Sequence, residues 1–154
     1  MKLKQLIRSD RVLLDLSAKD AGEALGRVAE ILGDQLGISP GKILEALQER
    51  EKLGSTGVGD GFAIPHCKLP GLSEIVVAVA RFSEGFSFDS PDGVPVRFLF
   101  VVLSPPDQPA SHLQVLSQIA RVLKRKELRR HLMEVASVEE VVEALQGAAE
   151  HEGL

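Results

Sequence analysis

Apolar residues change their spacing several times along the chain, and each change marks an element. Val12-Leu13-Leu14 followed by Leu16 reads as a short strand. Ser17 then offers a helix cap, and Ala21, Ala24, Leu25, Val28, Ile31, Leu32 and Leu36 recur at helical spacing until Gly37 stops them. A second helix is expected from Ser39 as cap and Pro40 as first residue, with Ile43, Leu44 and Leu47 on one face. Ile75 to Phe82 and Val96 to Leu103 read as strands. The second is almost continuously apolar, the pattern of a strand covered on both faces. Glu84-Gly85 and Ser90-Pro91-Asp92-Gly93, between them, carry turn chemistry. Leu113, Leu116, Ile119, Ala120 and Leu123 form a helical stripe, a helix from about Lys126 to Val135 follows, and Ser137-Val138-Glu139-Glu140 is a capping box ahead of Val141, Val142 and Leu145. Helices before, between and after the strands predict an α/β domain, a mixed and mostly buried sheet sandwiched by helices.

The whole chain, 1–154, reads as a single domain, with no internal repeat, low-complexity tract or linker. A net charge of −4 argues against a general nucleic-acid binder, which needs clustered cations, and with 6 Phe but no Trp or Tyr there is no stacking platform for bases. A lone Cys makes no internal disulfide and fits a reducing compartment. No run approaches the ~18 apolar residues of a membrane span. The basic stretch Met1 to Arg8 lacks the apolar core of a signal peptide, so no membrane insertion and a cytoplasmic location are expected.

The pattern breaks between Gly54 and Pro70, where glycines at 54, 57, 59 and 61 and prolines at 65 and 70 predict a shaped loop with a short strand near Phe62–Ile64. This is not a Walker loop, because Asp60-Gly61 stand where Lys-Ser/Thr is needed, nor a dinucleotide fingerprint, because Phe62 replaces the last glycine. What remains is a glycine-rich run with two hydroxyls, Ser55 and Thr56, ending in His66. Glycines leave main-chain N–H groups uncovered for an anion. Pro65 fixes its own φ and extends Ile64, which aims the next side chain. Arg50 offers a planar cation for a phosphate, and a neutral imidazole is a competent nucleophile. His112 sits at the edge of the apolar stripe of its helix. It is read either as a half-buried histidine bonded to a backbone carbonyl or as a side chain pointing into a site above the sheet.

Ser55-Thr56-Gly57-x-Gly59-x-Gly61-x-Ala63-Ile64-Pro65-His66 resembles the active-site signature of fructose/mannitol/nitrogen-type enzyme IIA domains of the phosphoenolpyruvate-dependent sugar phosphotransferase system. Arg50-Glu51, Phe88-Asp89-Ser90-x-Asp92-Gly93-x-Pro95-Val96 and His112-Leu113-x-x-Leu116-Ser117 extend the likeness in the same order, from about Leu3 to Leu145. The resemblance implies that His66 accepts a phosphoryl group on Nε2. His112 then neighbours that group as the auxiliary histidine, and Arg50 stands beside the loop. Ser55, Thr56, Gly57 and Gly59 become candidates for binding the phosphate. It implies a histidine phosphocarrier rather than a stand-alone turnover enzyme, with no cofactor and no metal. The implied donor is the histidine-containing phosphocarrier protein (HPr) or its nitrogen-branch relative, and the acceptor is an enzyme IIB domain or a regulated target. The nitrogen-regulatory subtype is favoured over a sugar-transport component because no IIB or membrane domain accompanies the sequence. A non-catalytic regulator that kept the fold is the alternative. Hydrolysis by Ser55 with His66 lacks both a nucleophile elbow and an acidic third member.

Cys67 departs from the small residue usual in the family, and its place beside His66 raises the question of a redox-sensitive site. Arg121, Lys124, Arg125, Lys126, Arg129, Arg130 and His131 read as a solvated basic face, with an acidic protein partner as the alternative. Asp60 is expected to point outward or to bond loop amides.

Overall fold

The computed structural model describes all 154 residues, Met1–Leu154. In chain order the elements are α1 (Leu3–Leu6), a 3₁₀ turn (Ser9–Arg11), β1 (Val12–Leu16), α2 (Ala21–Leu36), α3 (Pro40–Lys52), β2 (Gly57–Gly59), β3 (Phe62–Ala63), β4 (His66–Lys68), β5 (Val76–Phe86), β6 (Val96–Ser104), α4 (Pro109–Val122), α5 (Lys126–Glu134) and α6 (Val138–His151).

Apolar continuity places β6 at the centre. It runs antiparallel to β5 on one side and parallel to β3 and β4, in succession, on the other. β1 lies parallel to the outer side of β5, and β2 pairs with β3, giving the order β1-β5-β6-β3-β2. Because strand side chains alternate, the sheet feeds two cores. Val77, Val79, Phe98, Phe100 and Val102 pack with α1 and α4–α6. Val76, Ala78, Ala80, Leu99, Val101 and Leu103 pack with α2 and α3. The cores hold 22 and 21 buried residues, so neither face of the sheet is left to solvent and the layered α/β reading stands.

Several local expectations change. α2 is capped by Asp20, whose Oδ1 accepts the Glu23 N–H at 2.8 Å, and not by Ser17. Ser17 stands ahead of the connection, whereas Asp20 stands where the first free amide points. On α4 the buried stripe is His112, Val115, Ile119 and Val122, while Leu113 and Ala120 face outward. The histidine takes a core-facing position that a hydropathy pattern assigns to leucine. Glu84-Gly85 lies inside β5 rather than in a turn, at a bulge between Arg81 and Phe86. A Cβ on Gly85 would come within 2.7 Å of Pro95 Cβ, which explains the glycine by close approach. The glycine-rich region contains three short strands where one was expected. The Ser137 cap is formed, its Oγ accepting the Glu140 N–H at 3.2 Å, while the Glu140 carboxylate takes the Ser137 hydroxyl at 3.0 Å rather than its backbone N–H.

Candidate functional site

β3 and β4 follow β6 in one register, Phe62 opposite Phe98 and His66 opposite Val102. Between them Ile64-Pro65 interrupts the ladder, since Pro65 has no N–H to give. The Pro65 carbonyl accepts from Val102 N at 2.9 Å, and Ile64 N turns the other way to Thr56 O at 3.0 Å. The Ile64 carbonyl is left for the His66 ring, whose Nδ1 lies 2.7 Å away. A carbonyl only accepts, so Nδ1 carries the proton and donates. The unshared pair of His66 is therefore on Nε2. Proline at 65 thus does more than aim the side chain: the interruption it imposes sets which ring nitrogen is free.

Arg50, in the last turn of α3, brings its Nε to 3.2 Å from His66 Nε2, while its Nη1 donates to Gly54 O at 2.8 Å. Burial pushes the His66 imidazole below its ordinary range. The Ile64 carbonyl opposes this, and the Arg50 charge adds to it. On the same face of the sheet, the His112 ring sits 5.5 Å from that of His66, centroid to centroid, with 54° between their planes. Ser104, opposite Lys68 in the β4–β6 pair, places its hydroxyl 2.5 Å from His112 Nδ1. Burial holds His112 below its ordinary range, helped by His66 and Lys68. His112 is 9% exposed: its partner is a hydroxyl rather than the backbone carbonyl of the first expectation, and its ring lies beside His66, as the second expectation has it.

The expected phosphate ligands are used differently. Ser55 Oγ donates to Phe88 O at 2.5 Å and accepts from Gly57 N at 3.0 Å. Thr56 gives both its hydroxyl and its N–H, the latter at 3.1 Å, to the Glu51 carboxylate. Both hydroxyl hydrogens are thus committed to protein acceptors and brace the loop against α3 and the Phe88 segment. Gly59, Asp60 and Gly61 take positive φ of 97°, 54° and 86°, which builds a tight turn between β2 and β3 rather than an open nest of amides. Gly59 borders a cavity shared with Ala120 and Lys124, toward the far end of α4 from His112, so the structure does not bring it to His66.

Asp60 points outward as expected, but its partner is a side chain, Arg129 Nη2 at 3.0 Å, and not the loop amides. Arg129 also donates to Leu123 O and is 17% exposed at its side chain, so it leaves the solvated basic face. Cys67 turns to the opposite side of the sheet from His66, into the α2–α3 core, and burial pushes its thiol up to about 12. A buried thiol that stays protonated is a poor redox sensor, so its place beside His66 in the sequence does not make Cys67 one. Sequence reasoning missed the Glu51 brace and the Ser104–His112 bond. Their signals were faint: a carboxylate five residues before a threonine, and one hydroxyl ending an apolar strand. No group of three or more His, Cys, Asp or Glu is placed to hold a metal ion. No helix is long and apolar enough to cross a membrane.

The helix-flanked mixed sheet, with the tilted His66 and His112 rings side by side at the start of α4, has counterparts among solved structures. The crystal structure of nitrogen regulatory protein IIA-Ntr from Neisseria meningitidis superposes with a TM-score of 0.88 at 35% identity, over 93% of this chain and 98% of that one. The IIA mannitol protein of Escherichia coli shares the fold at 23% identity, with a TM-score of 0.76 over 90% and 97% of the two chains. The chain belongs to the family of phosphoenolpyruvate-dependent sugar phosphotransferase system EIIA 2 domains, whose model matches residues 5–148. Among its relatives, the nitrogen regulatory protein of Pseudomonas aeruginosa is 36% identical over 140 residues, 90% of this chain and 91% of that one. The fructose-specific EIIA component of Haloferax volcanii is 41% identical over 107 residues, 70% of each.

Proposed function

We propose that this protein is a histidine phosphocarrier of the nitrogen-regulatory type. His66 Nε2 takes a phosphoryl group from phosphohistidine on HPr or its nitrogen-branch relative, and the phosphorylation state is then read by a partner protein. The observation that carries this reading is the fixed tautomer of His66: Nδ1 is held by the Ile64 carbonyl at 2.7 Å, which leaves the lone pair on Nε2, where it accepts from Arg50 Nε at 3.2 Å. In the transfer the donor N–P bond breaks as the Nε2–P bond forms, and the donor imidazole leaves with its electron pair. No ATP is required, because the group arrives already activated. Catalysis then reduces to in-line positioning and charge stabilisation. Arg50 has three remaining N–H donors beyond its bonds to His66 and Gly54, enough to meet the phosphoryl oxygens.

A protein donor and a protein reader also suit the surface. Leu53 and Leu113 are 83% and 68% exposed, and they stand three residues after Arg50 and one after His112. A cavity of about 480 Å³ lined by Gly22, Gln48, Glu51, Ser55, Phe88 and Asp89 contains neither histidine, so it is not where the transferred group arrives. The names of the Pseudomonas and Neisseria relatives support regulation; that of the Haloferax relative, a fructose-specific EIIA component, supports a sugar-transport component as the second reading.

The test is incubation with phosphoenolpyruvate, enzyme I and HPr, or the nitrogen-branch pair. The expected product is an acid-labile, base-stable phosphate that is absent from His66→Ala. Label that persists in His66→Ala moves the site; no label with either pair supports the binding-only alternative. Addition of enzyme IIB domains separates the two readings, since only a transport component empties its phosphate onto one.

A further inference from the structure

The partner of His112 Nδ1 decides what His112 can offer to a group on His66. Ser104 is 0% exposed, and the one hydrogen-bond partner of its hydroxyl is His112 Nδ1 at 2.5 Å. Two arrangements are open to this pair. If Nδ1 carried the proton, the Ser104 hydroxyl would accept it and its own hydrogen would be buried with no acceptor, which is unfavourable. If the hydroxyl donates, every polar group in the pair is satisfied and the ring proton resides on Nε2. That nitrogen has no partner within the protein and is not among the sealed, unpartnered atoms, which are Arg11 Nε and Ser90 Oγ. It therefore opens onto the space shared with His66, whose ring is 5.5 Å away.

We propose that Ser104 is a positioning residue for phosphoryl transfer: by donating to His112 Nδ1 it keeps the His112 proton on Nε2, so that His112 meets the phosphoryl oxygens as a neutral hydrogen-bond donor. The two histidines are then set in opposite tautomers by two different acceptor–donor choices. The Ile64 carbonyl leaves the lone pair of His66 on Nε2 to attack, and the Ser104 hydroxyl, donating to Nδ1, leaves the proton of His112 on Nε2 to donate. With the tautomer reversed, a lone pair would face the oxygens and repel them. A donor that is neutral stabilises the transferred group without holding it as tightly as a second fixed cation, which suits a group that must also leave. The tautomer assignment stands on the Ser104 geometry, and its role in transfer rests on the phosphocarrier reading.

The experiment is a long-range ¹H–¹⁵N spectrum of the ¹⁵N-labelled full chain near neutral pH, for wild type, Ser104→Ala and Ser104→Thr, with phosphoryl acceptance timed on the same samples. Wild type is expected to show the His112 proton on Nε2. Ser104→Ala should move part of that population to Nδ1 and slow acceptance about tenfold, with the apparent KM for the phosphodonor unchanged. Ser104→Thr, which keeps the hydroxyl, should restore both the tautomer and the rate. A His112 proton on Nδ1 in wild type overturns the assignment. An unshifted tautomer or an unslowed rate in folded Ser104→Ala overturns the role of Ser104. If wild type accepts no phosphate at all, the phosphocarrier reading and with it this role in transfer fail, while the spectrum still decides the tautomer.

Discussion

Arg50 is held by two bonds, Nε toward His66 Nε2 at 3.2 Å and Nη1 to Gly54 O at 2.8 Å, and a single ammonium group cannot reproduce both. Arg50→Lys keeps the charge and loses the fork. Phosphoryl acceptance is expected to fall by about 10²-fold, the usual cost of removing one preorganised donor from a transfer site, with the melting temperature nearly unchanged. Arg50→Gln removes the charge that helps hold His66 low, so an NMR titration should find the His66 pKa moved upward, toward its ordinary value of 6.5. A downward shift would refute that electrostatic account. At this scale the sequence was informative about residue type. An arginine, two histidines and a proline have few uses in such a run, and His66, Arg50 and His112 do come together. What it did not disclose is which hydroxyl serves which partner. Ser55 and Thr56 looked like phosphate ligands because they are donors beside glycines, but their acceptors, Phe88 O and the Glu51 carboxylate, lie 33 residues ahead and 5 behind. The Ser104–His112 bond depends on the end of β6 meeting the first turn of α4, a relation that no local pattern contains.

The elements place these residues by a few close approaches. The α2–α3 corner is one: a Cβ on Gly33 would come to 2.7 Å from Ile38 O and 2.9 Å from Pro40 Cγ. Backbone on one side and a ring on the other leave little room to yield, so Gly33→Ala should destabilise by ~1–3 kcal/mol, a melting shift of roughly 2–12 °C for a domain this size. An unchanged melting temperature would show that the corner relaxes freely. The Glu51 brace is a second. Glu51→Gln keeps the shape but replaces charge-assisted bonds to Thr56 with neutral ones, at a cost of about 1 kcal/mol. It should also free the β2 segment, seen as faster amide exchange at Thr56 and Gly57. Equal exchange in the two proteins would remove the brace from the account. The long elements were legible because their patterns are redundant: β6 is apolar at nearly every position, and α2 repeats its stripe over four turns. The departures arise where one residue decides. His112 takes a core-facing place and leaves Leu113 outside. Gly85, a turn residue by type, serves a strand that approaches Pro95 closely.

At the scale of the whole molecule, folding holds both site histidines in their neutral form, chiefly by burial, and this couples stability to pH. In the unfolded chain both imidazoles take up protons near the ordinary value of 6.5; in the folded chain they do so only at lower pH. Over the window between, the unfolded state binds more protons, so stability is full above the ordinary value and declines as pH falls through it toward the folded values. Asp10 and Asp92 act in the same direction but further down. The bond to Arg8 holds Asp10 low and the Asp60 amide holds Asp92 low, so their contribution begins to fall away only near the ordinary carboxylate value of 3.8. The carboxylate window opens only near 3.8, so the upper part of the histidine window, which opens at 6.5, can be read alone. Thermal or urea unfolding measured from about pH 7.5 down to about pH 5 should show wild type losing stability, and a His66→Gln, His112→Gln double variant losing less of it. Parallel profiles for the two proteins would mean that the site histidines are solvated well enough to titrate alike in both states. A neutral, accepting Nε2 on His66 would then owe nothing to burial, and the acid side of the transfer profile should sit at the ordinary imidazole value rather than below it.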